Sequence, residues 1–382
     1  MPKVLILTTS FGVGGPTGVV ADQVRALTNR GVECSVWGLD TPAPGYEFDL
    51  DVPVRSLGLP SWAANRSTTR RLTQALAAER PDVLHLHSFS THVHGARAAR
   101  AVGIPQVIVS FHDFRLGLRR ALHCRLLAGS VDRVIVLNEA MRELYASQCG
   151  YPAEKLTILP NAVDTRLFAP EPRDEALAAR YGLGREQYVI GTVGGLNRVK
   201  GHRFLVEALA EVLRERPEAR LVLVGAGPER ERLLRLAERL NVADRLILAG
   251  RQTNIKSWLS LFDLYVQPSR LEADPLAVKE AMAMARPVVG TSTGGMPELL
   301  AGGRAGVLVP PRRSRELAAE ILALAADPAR AQALGEAGRA YVVRRYDFRD
   351  YEQHLWDLYA PLLGASAEEL QPAVASRVLA YK

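Results

Sequence analysis

Short, branched apolar runs alternate with stretches of helical spacing along most of this 382-residue chain, and that alternation constrains the fold more than any other feature. Residues 4–8 form such a run, and residues 19–28 then place their apolar positions on one helical face. Residues 33–37, 83–87, 106–110 and 133–137 repeat the strand composition between helical stretches. The runs lack a clean polar alternation, so they read as buried parallel strands covered by helices on both faces.

A turn-rich stretch, ILPNAVDTRLFAP at 158–170, interrupts the pattern with Pro160, Asn161 and Asp164, and reads as a crossing between domains. From Tyr188 the pattern resumes. Strand-like runs at 188–194, 220–224, 246–249, 264–266 and 287–290 flank helices at 202–213, at 279–285 and through Leu240. Residues 313–325 and 329–343 read as surface helices, and 346–363 carries Tyr351, Leu355, Trp356, Leu358 and Tyr359 for docking a last helix on the body. The expected fold is therefore α/β, with two facing Rossmann-like domains and a central cleft. The domains span 1–165 and 166–345, followed by the terminal helix 346–363 and a tail, 364–382, that is free to fray. Such sheets bind ligands beyond the carboxyl ends of their strands.

Composition narrows the partners. With 48% apolar and 23% charged residues, either half can bury a core. The net charge of +7 is spread along the chain without a dense Lys/Arg block, which favours an anionic substrate or acidic membrane surface over nucleic acid. Cys34, Cys124 and Cys149 lack a metal-binding spacing and read as free thiols. The opening MPKVLILTTSFGVGG enters a glycine turn, not a signal-type apolar segment, and no run approaches the roughly 18 apolar residues of a membrane helix. Cytoplasmic residence is expected, with peripheral contact at the inner face of a membrane left open.

The loops carry the chemistry. Gly12, Gly14, Gly15 and Gly18 form either a ligand-binding loop or a simple turn, and Asp40 beyond them is a weak nicotinamide signal. In GTVGGLNRVKGH, Arg198 and Lys200 supply cations for a diphosphate beside the accessible backbone of Gly194 and Gly195. The pattern is not that of a P-loop ATPase. Gly225, Gly227 and Pro228 make a further strand-end turn. Glu272 and Glu280, eight residues apart, can accept hydrogen bonds from sugar or ribose hydroxyls, Glu280 from a helix start; the alternative is a pair of solvated helix-end acids. Glu298, after the Gly294-Gly295 turn, reads as a first-turn capping acid.

His85, His87, His92 and His94 lack the cysteine or carboxylate companions that zinc needs. His112, at a strand's carboxyl edge, can donate to a sugar oxygen, while Asp113 either fixes its tautomer or caps a turn. FRLGLRRALHC at 114–124 interleaves Arg115, Arg119 and Arg120 with Phe114, Leu116, Leu118 and Leu122. It suits an anionic lipid interface, an anionic sugar or a solvated helix.

Taken in order, GGPTG, HLHS at 85–88, FHD at 111–113, PNAVD at 160–164, VGGLNRVKG at 193–201 and EADPLAVKEAMAMARPVVGTSTGGMPE resemble the retaining glycosyltransferases of family 4, of the GT-B type. The resemblance covers about residues 2–363, and the Glu272-to-Glu280 spacing agrees with the family's E-x7-E signature. It implies a retaining, hexosyltransferase-like enzyme that moves a sugar from a nucleoside diphosphate sugar to a hydroxyl by a same-face mechanism.

In that reading Gly14 and Gly15 face the donor diphosphate, His112 lies by the transferred sugar and Lys200 holds phosphate oxygens. Arg198 shares the phosphate role, Glu272 approaches the sugar, and Glu280 contacts the ribose. His112, Lys200 and Glu272 form the catalytic set. No cofactor or metal is required; the donor is a UDP-sugar by preference, with GDP- and ADP-sugars as alternatives. The acceptor, on the side of the first domain, is a saccharide, a small metabolite or a lipid-linked molecule. Two departures stand out: Gly195 replaces an arginine common in relatives, and Ala273-Asp274 replaces the commoner Gly-Phe. A nucleotide-sugar epimerase or hydrolase, and a non-catalytic sugar-nucleotide-binding protein, are the competing readings.

Overall fold

The computed structural model describes residues 2–11, 15–41, 50–60 and 65–364. Gly14 and the tail from residue 365 lie outside the described residues; Gly15 is the first residue of the helix Gly15–Thr28. The chain forms two compact units, one reaching Asn161 and resuming at Arg349, the other Ala162–Phe348.

In the first unit, β1 (Lys3–Thr8), β2 (Glu33–Gly38), β3 (Val54–Ser56), β4 (Val83–His87), β5 (Gln106–Ser110), β6 (Arg133–Val136) and β7 (Leu156–Ile158) form a parallel sheet ordered β3-β2-β1-β4-β5-β6-β7. In the second, β8 (Val189–Val193), β9 (Arg220–Val224), β10 (Leu246–Gly250), β11 (Leu264–Gln267), β12 (Val288–Thr291) and β13 (Val307–Val309) are ordered β10-β9-β8-β11-β12-β13, again parallel. Each sheet is built with intervening helices, giving two Rossmann-like units.

Successive strand residues point to opposite faces, which is why these strands read as unbroken apolar runs. In the second unit Ile190, Leu221, Leu223, Leu264 and Val266 join one core cluster, while Val189, Val222, Val224 and Tyr265 join the other. The strands that sequence reasoning missed, β3, β7 and β13, are three residues each and lie at sheet edges, where few buried positions leave a pattern. The expected helix 279–285 instead spans Leu276–Ala283. Pro275 precedes it, and its carbonyl accepts from the Val278 and Lys279 amides, so Glu280 sits a full turn into the helix instead of at its start.

The helix Phe348–Tyr359 packs on the first unit. Tyr351, Leu355, Trp356 and Tyr359 are buried; the Tyr359 hydroxyl lies 2.6 Å from His85 Nδ1, and Asn29 Nδ2 donates to Glu352 Oε1 at 2.9 Å. Among the described residues, no helix is long and apolar enough to cross a membrane.

Gly201 is required on backbone grounds. It caps the helix His202–Glu215 at φ 67°, and a Cβ there would come within 2.1 Å of the Pro268 carbonyl oxygen. Gly201→Ala should therefore cost about 1–3 kcal/mol, measured by denaturant unfolding; a variant as stable as the parent would refute this close packing.

Candidate active site

The second sheet reverses its strand order between β8 and β11, so the segments leaving these neighbouring strands open side by side. Residues 194–201 follow β8 and residues 268–275 follow β11. The Arg270 amide donates to the Val199 carbonyl at 2.7 Å, stitching the two loops together. The loop after β9 lies against the first of them: the Leu196 amide donates to Ala226 at 2.9 Å, and a Cβ at Gly225, where φ is 145°, would meet the Gly194 carbonyl at 2.0 Å.

Lys200 and Glu272 meet at this junction. Lys200 Nζ donates to both carboxylate oxygens of Glu272, at 2.8 and 3.1 Å. The carboxylate is nearly buried and is fixed further by Gln267 Nε2 at 2.8 Å and Ser269 Oγ at 2.5 Å, both donating to Oε1. Behind them the buried Tyr265 hydroxyl donates to Gln267 Oε1 at 2.8 Å. The Gly295 amide, in the glycine turn, donates to the Glu272 carbonyl at 2.9 Å. A carboxylate with this many donors is rigid, and it holds the lysine cation in place. Gln267 and Ser269 carried no sequence signal, because short polar residues at a strand's end are ordinary.

Arg198 is not part of this group. It is exposed, and its Nε lies 3.4 Å from Glu229 Oε1, which Arg232 also engages. Glu280 is half-buried in the helix Leu276–Ala283, beyond Glu272 in the chain. Glu298 falls in the first turn of the short helix Met296–Leu299.

In the first unit His85 and His87 point to the same side of β4 and are buried. His85 spans the Tyr359 hydroxyl and Ser110 Oγ, the latter at 2.7 Å. His87 Nε2 lies 2.7 Å from Gln23 Oε1, and His87 Nδ1 lies 2.9 Å from His112 Nε2. Burial pushes the imidazolium form of His87 well below its ordinary range and brings His112 down to about 4. Both rings are then neutral near pH 7, and the network assigns their protons. His87 donates to Gln23 through Nε2, so its Nδ1 accepts from His112 Nε2–H. The remaining nitrogen of His112, Nδ1, is therefore an acceptor, which reverses the expectation that this side chain donates to a sugar oxygen.

Asp113 caps a turn, accepting from the Arg115 amide at 2.8 Å and facing Arg120 at 3.6 Å. His92 faces Tyr151 and Cys124, and His94 faces Thr69. Among the described residues, no group of three or more His, Cys, Asp or Glu gathers as a metal site.

The sequence model of Glycosyltransferase Family 4 matches residues 13–167, and that of Glycosyl transferases group 1 matches 187–327. The GDP-mannose-dependent alpha-(1-6)-phosphatidylinositol monomannoside mannosyltransferase of Mycolicibacterium smegmatis is 31% identical over 316 residues, covering 76% of this chain and 82% of that protein. The chain belongs to glycosyltransferase family 4. This glycosyltransferase is also 25% identical over 359 residues to the N-acetyl-alpha-D-glucosaminyl L-malate synthase of Bacillus anthracis, covering 90% of this chain and 93% of that one. Among solved structures, Anabaena HepE in complex with UDP superposes with a TM-score of 0.82 at 24% identity, covering 94% of this chain and all of HepE. Sucrose-phosphate synthase from Thermosynechococcus elongatus gives 0.83 at 22%, covering 96% of this chain and all of that one. The fold is GT-B.

The glycosyltransferase also holds a charge pair that sequence reasoning passed over. Lys279 is fully buried, its ammonium 2.6 Å from Asp274 Oδ1 and 4.0 Å from the centre of the Tyr346 ring. Burial lowers its pKa from the usual lysine value, and Asp274 opposes that shift. The pair ties the Glu272 loop to the helix that carries Glu280. Asp274→Ala removes the ion-pair partner of the buried ammonium and should cost about 3–5 kcal/mol. Replacing both partners, Asp274→Ala with Lys279→Met, should recover much of that loss; unfolding curves that rank the double variant below the single would contradict the assignment.

Proposed function

We propose that this glycosyltransferase moves a sugar from a nucleoside diphosphate sugar to an acceptor hydroxyl with retention at the anomeric carbon. The observation that carries the reading is the Lys200–Glu272 pair at the strand-order reversal, with Glu280 eight residues beyond Glu272 on the adjoining helix. We assign the nucleotide to the second unit and the acceptor to the first.

Lys200, partly exposed and held in place by Glu272, offers its remaining N–H donor to the departing diphosphate, with the backbone amides of Gly14 and Gly15 as further donors. Arg198, tethered to Glu229, must leave that partner to reach a phosphate and is the weaker contributor. Glu280 accepts from ribose hydroxyls, and Glu272 from the sugar. His112 Nδ1, left as an acceptor by the Gln23–His87 chain, receives a hydrogen bond from a hydroxyl of the transferred sugar. As the anomeric C–O bond to diphosphate breaks, the acceptor oxygen attacks from the same face. Its proton passes to the leaving phosphate oxygen, so neither glutamate has to become a covalent nucleophile.

A UDP-sugar is the preferred donor, in line with the UDP complex of HepE; the M. smegmatis relative, named as GDP-mannose-dependent, makes GDP-sugars the second arm of the test. The acceptor is a saccharide, a small metabolite or a lipid-linked alcohol. The deciding experiment is a donor and acceptor screen with mass detection, hydrolysis controls and anomeric analysis. A new α-glycoside from an α-linked donor supports the reading. An epimerised or merely hydrolysed donor, or binding without turnover, would replace it with an epimerase, a hydrolase or a binding protein.

Lys200→Ala should lower kcat by about 100-fold, and Glu280→Ala should raise the donor KM by about tenfold. Unchanged steady-state kinetics in both folded variants would reject the site. A Cβ at Gly195 meets only Asn197 Nδ2 at 3.5 Å and the Ala226 carbonyl at 3.8 Å, so the backbone there accepts a side chain. Gly195→Arg should lower the donor KM; a rise would show that the glycine is required by the donor itself.

A further inference from the structure

The helix Leu118–Leu127 has two opposed apolar faces, and only one of them is used by the fold. Ala121, Cys124 and Leu127 are buried against the first unit. Leu118, Leu122 and Leu126 stand on the other side, 89%, 55% and 68% exposed, and among the described residues Val54 is the one other large hydrophobic residue in that exposed class. At about 100° per residue, the three leucines fall within an arc of about 80°. They form one continuous stripe along the helix, and such a stripe keeps apolar surface in water at a cost in free energy.

Charge identifies what covers it. From Phe114 to Leu127 the chain carries Arg115, Arg119, Arg120 and Arg125 and no acid. Arg119 and Arg125 are exposed and flank the stripe on either side, and Arg115 is exposed just before the helix. Arg120 is used inward, over the Phe89 ring at 5.0 Å and against Asp113, so the acid preceding the segment is already engaged. Leucines flanked by a guanidinium group on each side match the two layers of an anionic bilayer surface, acyl chains inside and phosphodiesters outside. A stable protein interface needs roughly 800 Å² per partner, far more than three leucines supply, and aromatic anchors are absent from the stripe.

We propose that the exposed face of this helix seats the protein on an anionic lipid surface, with Leu118, Leu122 and Leu126 entering the acyl boundary and Arg119 and Arg125 pairing with headgroup phosphates. The contact is reversible, because one ten-residue helix and a few charges give only marginal partitioning, and it weakens as salt screens the arginines. It is independent of the donor and of the reaction proposed above.

The test is co-sedimentation of the full chain with vesicles of phosphatidylcholine alone and of phosphatidylcholine mixed with phosphatidylglycerol, with circular dichroism as the control for folding. The expected result is binding to the anionic vesicles that falls about tenfold or more when Leu118, Leu122 and Leu126 are all replaced by serine. Arg119→Glu with Arg125→Glu should also weaken binding and remove its salt dependence. Absence of binding to the anionic vesicles overturns the proposal, as does equal binding by parent and triple-serine variant. So does a dimer in solution that the triple-serine variant dissolves while vesicle binding is unchanged, since the stripe would then belong to a second copy of the chain.

Discussion

The backbone approach between Gly201 and Pro268 is the constraint on which the second unit's site depends. Because β8 and β11 are neighbours, the two segments leaving them must run within van der Waals distance, and only a residue without a Cβ, able to hold a positive φ, lets them do so. That approach sets Lys200 against Glu272, seventy-two positions along the chain, at ion-pair distance. The carboxylate is then fixed by Gln267 and Ser269, and through Gln267 by a tyrosine in the core. A flexible lysine thereby acquires a defined position before any ligand arrives, which lowers the entropy lost on binding.

The first unit solves a similar problem without charge. Burial keeps His87 and His112 neutral at neutral pH, so each of these rings must be satisfied in a neutral form, and the chain from Gln23 through His87 to His112 dictates where their protons sit. The neighbouring His85 is closed off by the terminal helix through Tyr359. A helix distant in sequence thus completes the polar interior beneath β4, leaving His112, half-buried at the edge of the network, as the member able to meet a ligand.

Much of this was legible in the residues. Parallel strands covered on both faces must be apolar throughout, so β4, β5 and β9 were marked to the residue by composition, whereas the three-residue edge strands β3, β7 and β13 left no pattern. Lys200, Glu272, Glu280 and His112 stood out because polar groups at strand ends in a glycine context are chemically conspicuous. The pairing of Asp274 with Lys279 was not legible, since a lysine in an apolar helix reads as a surface residue until the fold closes Tyr346 over it. Arg198 was expected to share the phosphate role of Lys200 two positions away, yet it is directed to Glu229.

Sequence alone determined the layered α/β architecture and the family, because strand burial and the spacing of the two glutamates are local properties written in residue order. Tertiary structure decided which of the marked side chains act together. It separated Arg198 from Lys200, turned His112 from a donor into an acceptor, and left three leucines on one helix facing water. Those outcomes depend on contacts between segments far apart in the chain, where hydrogen-bond partners and burial are set by strand order and packing and are invisible to any local pattern.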